Sequence, residues 1–307
     1  MKKIFEPIKV KGVEFKNRVV MAAFANLKLL SENGVMGDEL LKYHLQFADK
    51  EIGLVILEEL LVMPLIQDLP WAVEEANMAP LRKIVEKCHE NGTRIFAALA
   101  LNGREFAQKG GLNALSTQEM EEIRDAFVHS AKLCKEAGFD GVDLDGAHEL
   151  FLNQVSSAIT NKRTDRYGGN QEGRATFAKE IASGIKAFAD PSFILSYRFG
   201  ASFDLIQDAK LAKILEEAGY EMLLVSHGIS YGRGVSVPPE YEGDSETLYA
   251  GTQIKKAVNI PVVAISRINT LAKGEALLER GDCDFCAYGR PFASDPAFVI
   301  HSKQAEE

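Results

Sequence analysis

The sequence predicts an α/β fold, a single (β/α)8 TIM barrel spanning residues 1–307 with an N-terminal β-hairpin cap. Three observations carry that prediction. Eight short apolar runs recur along the chain, stretches with apolar residues at helical spacing lie between them, and no low-complexity linker divides the whole. Nearly continuous apolar runs mark strands covered on both faces, as in a parallel sheet. Strands that alternate with helices specify βα units. A doubly wound sheet would use the same alternation, but no Gly-x-Gly-x-x-Gly follows the first strand.

The elements follow in order. "PIKVKGVEFKN" reads as a hairpin with Gly12 in its turn, closing the bottom of the barrel. The strands are "NRVVMAAFA" from Asn17, "GLVILEE" from Gly53, "TRIFAALAL" from Thr93 and "DGVDLD" from Asp140. "FILSYRF" from Phe193, "EMLLVSH" from Glu221, "PVVAISR" from Pro261 and "CDFCAYG" from Cys283 complete the set. Helical stretches between them stop at glycine: "EEIRDAFVHSAKLCKEAGF" at Gly138, "AKLAKILEEAGY" at Gly219 and "TLAKGEALLERG" at Gly281.

Composition narrows the function classes. With 46% apolar and 26% charged residues, the chain has the makings of a large buried core. A net charge of −9 argues against nucleic acid or an anionic membrane as the main partner. No apolar window approaches a membrane span, and "MKKIFEPIKV" lacks a signal-peptide core, so the expected location is the cytoplasm. Cys283 and Cys286 form a Cys-x-x-Cys, but it lies in an apolar run and no second cysteine pair completes a zinc site. We read it as core.

In a barrel, chemistry sits at the C-terminal ends of the strands. Those ends supply residues 22–26, Glu58 and Glu59, 98–104, 145–148, Arg198, Ser226 and His227, 266–268, and Gly289 with Arg290. The turns after the last two strands are where such barrels cradle a phosphate. Arg290, between Gly289 and Pro291, either adds a bidentate contact to that phosphate or closes the barrel through a salt bridge.

The stretches "IFEPIKVKGVEFKNRVVMA", "GVMGDELLKYH", "CHENGTRIFAALALNGRE", "EAGFDGVDLDGAHELFLNQVSSAITNKRTDRYGGNQEGRATF" and "GDCDFCAYGRPFASDP" together resemble the old yellow enzyme family, the FMN-dependent NAD(P)H:flavin oxidoreductases. The "NKRTDRYGG" element after the fourth strand is the most specific. The resemblance implies FMN as cofactor, NADH or NADPH as reductant and a small-molecule acceptor. It implies flavin contacts from Ala22 and Ala23, Ala98, Arg198, Ser266, Arg267, Gly289 and Arg290. It also implies a barrel-only form, since larger relatives continue into an iron–sulfur cysteine cluster and a second dinucleotide domain. A homo-oligomer stays open, because some small relatives complete a neighbour's site. The charged loop residues Lys162, Arg163, Asp165 and Arg166 are expected to form an internal network that buttresses the active-site wall.

The departures from the family pattern carry as much information. Relatives read His-x-x-His or His-x-x-Asn at the end of the fourth strand with a Tyr two residues further on; here the positions are Asp145, His148 and Leu150. An ionised Asp accepts hydrogen bonds but cannot donate them to a developing oxyanion. Asp145 and His148 are therefore the candidate catalytic pair for an acceptor that is not a simple enone, with Asp145 expected to favour imidazolium. The bland alternative is a drifted pocket with Asp145 solvated. Ala98 stands where a flavin-binding Gln is expected, and Leu101 where a His is. His227 or Tyr231 could replace the missing acid. Trp71 and Tyr249 are expected in βα insertions as rim packing, and His44 and His89 as solvated or capping helix residues. Two further readings stand beside the oxidoreductase: a catalytically degenerate barrel acting as a ligand-binding or partner subunit, and a non-flavin barrel enzyme using Asp145 and His148 on a phosphorylated substrate.

Overall fold

The computed structural model describes residues 2–24, 29, 33–64, 70–230 and 234–305. The chain begins with the hairpin β1 (Ile8–Val10) and β2 (Val13–Phe15), paired antiparallel. Lys11 and Gly12 turn between them with φ of 50° and 86°. Positive φ at both positions gives a turn whose twist matches that of the strands, and glycine adopts it freely. The hairpin's Val10, Val13 and Phe15 cluster with Leu54, Phe96, Ile194, Met222 and Phe285 inside the barrel. Phe15 meets Phe285 and Phe96 edge-on at 5.3 and 6.2 Å. The hairpin thus plugs the barrel bottom, as the sequence predicts.

Eight parallel strands close the barrel in chain order: β3 (Val19–Met21), β4 (Leu54–Leu61), β5 (Arg94–Ala100), β6 (Gly141–Gly146), β7 (Ile194–Ala201), β8 (Met222–His227), β9 (Val262–Ala264) and β10 (Phe285–Tyr288), which returns to β3. Around it lie α1 (Asp38–Leu45), α2 (Glu75–Glu90), α3 (Thr117–Glu136), α4 (Phe151–Ser156), α5 (Gln171–Lys186), α6 (Leu205–Glu217), α7 (Glu246–Ala257), α8 (Leu271–Arg280), α9 (Arg290–Ser294) and α10 (Phe298–Gln304). Helix α3 opens with a capping box, in which Ser116 and Glu119 satisfy each other's backbone N–H groups. Gly138, Gly219 and Gly281 follow α3, α6 and α8 at φ of 97°, 100° and 77°, the left-handed stops expected of them. Among the described residues no helix is long and apolar enough to cross a membrane.

Strand alternation sets what faces the barrel interior. Ile194 belongs to the interior cluster, so Ser196 and Arg198 share its face; on β5, Phe96 and Ala98 do the same. On β4 the register shifts between Leu57 and Glu59. A bulge adds one residue and reverses the parity beyond it. Glu58 consequently points outward to α1 and Glu59 inward toward Arg198.

Candidate active site

The floor of the barrel mouth is built on β6 and β7, whose register sets Asp143 beside Ser196 and Asp145 beside Arg198. Ser196 Oγ donates to Asp143 Oδ1 at 2.7 Å, and Arg198 Nη1 donates to Asp145 Oδ2 at 3.2 Å. Asp145 Oδ1 accepts the Ala147 N–H, which fixes the turn leaving the strand. Arg198 also lies 3.5 Å from Asp143 and 3.6 Å from Glu59. Burial pushes Asp143 up to about 6, against the pull of Arg198, and raises Asp145 in the same way. Burial disfavours the Arg198 charge, but Asp145, Asp143 and Glu59 outweigh it and hold the guanidinium protonated. Asp143 Oδ2 and Arg198 Nε and Nη2 are buried without a hydrogen-bond partner among the described residues.

His148 stands at the edge of this floor, its side chain 46% exposed. Its φ of 54° and the 62° of Glu149 make a left-handed turn, a conformation that His tolerates better than most residues. The His148 N–H donates to the His227 carbonyl, and Nε2 shares a 2.8 Å hydrogen bond with Ser226 Oγ. The expected imidazolium is not what the geometry favours. Nδ1 lies 4.0 Å from Asp145, beyond hydrogen-bond range, because that carboxylate is taken by Arg198 and Ala147. The buried part of the ring, together with Arg198, lowers His148 to about 4, so it is neutral at neutral pH. Nor is Asp145 solvated; its side chain is fully buried.

The residues expected to cradle a phosphate line one cleft at the ends of β9 and β10, among them Ser266, Arg267, Asn269, Gly289 and Arg290. Arg267 and Arg290 are exposed, and among the described residues no carboxylate pairs with either. The salt-bridge alternative for Arg290 finds no partner there. Ser266 holds φ 97°, well into the region glycine prefers, with Oγ on Ser245 Oγ at 3.0 Å. Ala22 and Ala23 lie buried at the end of β3, and Ala98 is buried in the interior cluster, offering no polar side chain.

The polar loop after α4 is internal scaffolding. Arg163, nearly buried, grips Asp165 with two hydrogen bonds and donates to the Leu112 and Leu115 carbonyls. Arg166 pairs with Glu121 and Glu180, while Lys162 donates to the Ala158 carbonyl rather than joining a pair. Gly168 is required, since a Cβ there would lie 2.0 Å from the Arg163 carbonyl oxygen.

Several peripheral expectations change. His44 is not a solvated helix residue: it is buried with Nε2 on Glu58 at 2.7 Å, because the β4 bulge turns Glu58 outward beneath α1. Glu59, for the same reason, faces the mouth, 3.6 Å from Arg198. Tyr249 sits in the first turns of α7, with its ring on Tyr241 at 5.1 Å, and not in an insertion. Trp71 packs over Gly34 at the rim, as expected. His89 pairs with Asp140 at 2.8 Å, and Cys283 and Cys286 are both buried. His227 is exposed against Phe203, whereas Asn26 and Tyr231 lie outside the described residues. Sequence reasoning passed over Asp143 and Ser196. Their signal is plain in retrospect, since each stands two residues before a candidate on the same strand and so shares its face.

Comparison with known proteins identifies the family and supports the fold. The profile of the NADH:flavin oxidoreductase / NADH oxidase family matches residues 3–111 and 107–307. An NADH oxidase of Thermoanaerobacter brockii is 30% identical over 99% of this chain and 51% of its own, so the chain spans about half of that relative. An NADPH dehydrogenase of Bacillus subtilis (strain 168) is 27% identical over 97% of this chain and 93% of its own. Among solved structures, a 2-naphthoyl-CoA reductase in complex with 2-naphthoyl-CoA superimposes with a TM-score of 0.86 at 22% identity, covering 99% of this chain and 52% of that one. Morphinone reductase in complex with tetrahydroNAD gives 0.78 at 21% identity, covering 99% and 91%. With the family profile matched along nearly its whole length, the chain belongs to the NADH:flavin oxidoreductase / NADH oxidase family, that of old yellow enzyme.

Proposed function

We propose that the protein is an FMN-dependent oxidoreductase that passes hydride from NADH or NADPH to a small-molecule acceptor other than a simple enone. The observation that carries this is Arg198. Its buried Nη2 has no acceptor among the described residues, and its Nε faces only Asp143 Oδ2 at 3.5 Å without a hydrogen bond. This edge of the guanidinium at the barrel mouth can still donate, which fits the carbonyl and ring-nitrogen edge of a flavin. The cleft at residues 266–269 and 289–290 fits the phosphate of the same group. Two relatives named for NADH and NADPH chemistry support the nicotinamide as reductant. Bound FMN supplies two-electron hydride chemistry at its ring.

The chain's own residues then have separable tasks. Arg267 and Arg290 bind the phosphate, and backbone groups at Ala22 and Ala23 meet the ring where Ala98 cannot. Arg198 offers positive charge to the ring edge. Asp145 acts through Arg198 and the Ala147 turn, and is a positioning residue in this reading. His148, neutral and tied to Ser226, presents its remaining ring nitrogen to the acceptor, as N–H donor or bare acceptor according to the tautomer that the Ser226 hydroxyl sets. A second reading, a non-catalytic ligand-binding barrel, is favoured by one observation: Asp143, Asp145 and Glu59 oppose negative charge on a reduced flavin. The visible spectrum of the purified protein, before and after FMN loading and desalting, separates the two. Retained flavin bands that bleach anaerobically with NADH or NADPH support the oxidoreductase. A protein that releases all added FMN refutes it.

A further inference from the structure

Three carboxylates, Glu59, Asp143 and Asp145, stand around one guanidinium at the barrel mouth, and no second cation offsets them among the described residues there. Two of the three are held in the floor, although Asp143 Oδ2 has no hydrogen-bond donor among the described residues. Asp143 and Asp145 are fully buried and engaged by Ser196, Ala147 and Arg198. Glu59 differs. The β4 bulge aims it inward, its side chain keeps 20% exposure, and its approach to Arg198 Nη1 at 3.6 Å is too long for a hydrogen bond. Its oxygens keep acceptor capacity for a group entering from the mouth.

We propose that Glu59 is the substrate-binding carboxylate of this site, and that the acceptor carries a positively charged nitrogen at its reacting bond: an iminium, C=N⁺, reduced to an amine. This rests on the hydride-transfer reading above. Hydride, with its electron pair, adds to the iminium carbon and forms a C–H bond. The C=N π pair becomes the nitrogen lone pair, which cancels the charge. Both electrons and the hydrogen derive from NAD(P)H by way of the bound flavin, and NAD(P)⁺ leaves. No proton has to reach carbon, so the reaction makes no demand for an imidazolium acid, the form that burial and Arg198 disfavour at His148. An enone would instead build negative charge against Glu59 and Asp145.

The electrostatics also fix the kinetic signature. Positive charge is lost on the way to the transition state, so Glu59 holds the bound substrate more tightly than the transition state. Its neutralisation raises KM and leaves kcat unchanged or higher, which a merely structural residue would not do. A cation beside Asp143 and Asp145 also lowers their raised affinity for protons, so binding releases protons to buffer.

The test uses FMN-loaded wild type, Glu59→Gln and Glu59→Asp, with N-methyl-1-pyrrolinium as the cation and 2-cyclopentenone as the neutral probe of similar size. Calorimetry on the oxidised protein at pH 6, where Asp143 is about half protonated, in two buffers of different ionisation enthalpy reads affinity and proton release; anaerobic turnover with NAD(P)H reads kcat and KM. We expect the wild type to bind and reduce the cation in preference to the enone, with proton release. Glu59→Gln weakens the cation by about tenfold or more, the scale of a close, partly desolvated charge pair, and Glu59→Asp restores most of it. Equal or better use of 2-cyclopentenone, cation binding without proton release, or full cation affinity in Glu59→Gln overturns the proposal while leaving the hydride reading intact. Failure of NAD(P)H to bleach the flavin, seen before any acceptor is added, overturns both. The proton-release measurement needs only the wild type, so a variant that fails to fold does not shield the idea.

Discussion

Arg198→Met is the perturbation on which the account of the barrel floor depends most directly. The guanidinium is 3% exposed and is the cation that Asp145, Asp143 and Glu59 share. Methionine keeps much of the volume and removes the charge. Stripping one partner from a buried ion cluster costs about 3–5 kcal/mol when the survivors stay ionised. They have an alternative, which is to take up protons. For a buried aspartate with an unfolded value of 3.8, that escape costs about 1.4 kcal/mol for each pH unit above 3.8. The ceiling is therefore about 4 kcal/mol per carboxyl at pH 7 and about 1.5 at pH 5. The sign follows. Between pH 3.8 and 7 the folded variant binds more protons than its unfolded chain, so its stability falls as pH rises. Wild type shows the same trend more weakly, with the Asp143 part confined to the window from 3.8 to about 6. Urea unfolding at pH 5 and pH 7 measures this. Expected are a loss of about 3–5 kcal/mol at pH 7 and one smaller by about 2 kcal/mol at pH 5. A loss that is independent of pH, or larger at pH 5, would mean that Arg198 is not what offsets these carboxylates.

Arg290→Ala should lower FMN affinity about tenfold or more, the worth of a charge-assisted phosphate contact, while the FMN-free melting temperature stays put because the side chain is exposed; fluorescence titration with FMN decides it. Arg163→Ala leaves the Leu112 and Leu115 carbonyls without their donor and Asp165 without its bidentate partner. A loss of about 3 kcal/mol in urea is expected, tempered by the 26% exposure of Asp165. FMN uptake by the folded fraction should be unchanged; a loss of FMN uptake without a loss of stability would make the loop a binding element instead. Phe15→Ala empties the plug beneath Phe96 and Phe285 and should cost about 3–5 kcal/mol by the same assay, with less than 1 kcal/mol arguing that the hairpin is an ornament and not a lid.

What was legible in the sequence is what depends on local pattern. The hairpin turn at Gly12, the eight apolar runs and the glycine stops all express backbone conformation or burial within a dozen residues. The cleft at residues 265–269 and 287–291 was legible as a cleft because it consists of two consecutive βα turns. What failed depends on parity or on distant partners. A single extra residue in β4, which local pattern does not announce, decides which of Glu58 and Glu59 faces inward and buries His44 with the former. The protonation of His148 hung on which neighbour Asp145 prefers, and that neighbour, Arg198, is 53 residues from Asp145 in sequence. Adjacency in sequence suggested an Asp–His pair; adjacency in the sheet gave an Asp–Arg pair.

The loop and the site are then one construction. Arg163, Asp165 and Asn161 order the loop, and Asn161 Nδ2 ties it to the Val155 carbonyl in α4. From α4, Asn153 Oδ1 accepts the N–H groups of Glu149 and Ile229, linking the turn after β6 to the turn after β8. The His148 N–H to the His227 carbonyl and the Ser226 hydroxyl at Nε2 close the same circuit. A left-handed turn at His148 and Glu149 carries strain that only surrounding contacts can hold, and those contacts come from α4 and β8. The polar, glycine-punctuated stretch after β6 follows from this demand. It anchors a short helix whose buried Asn153 amide links the turn after β6 to the turn after β8, and so holds His148 at the edge of the carboxylate-lined mouth.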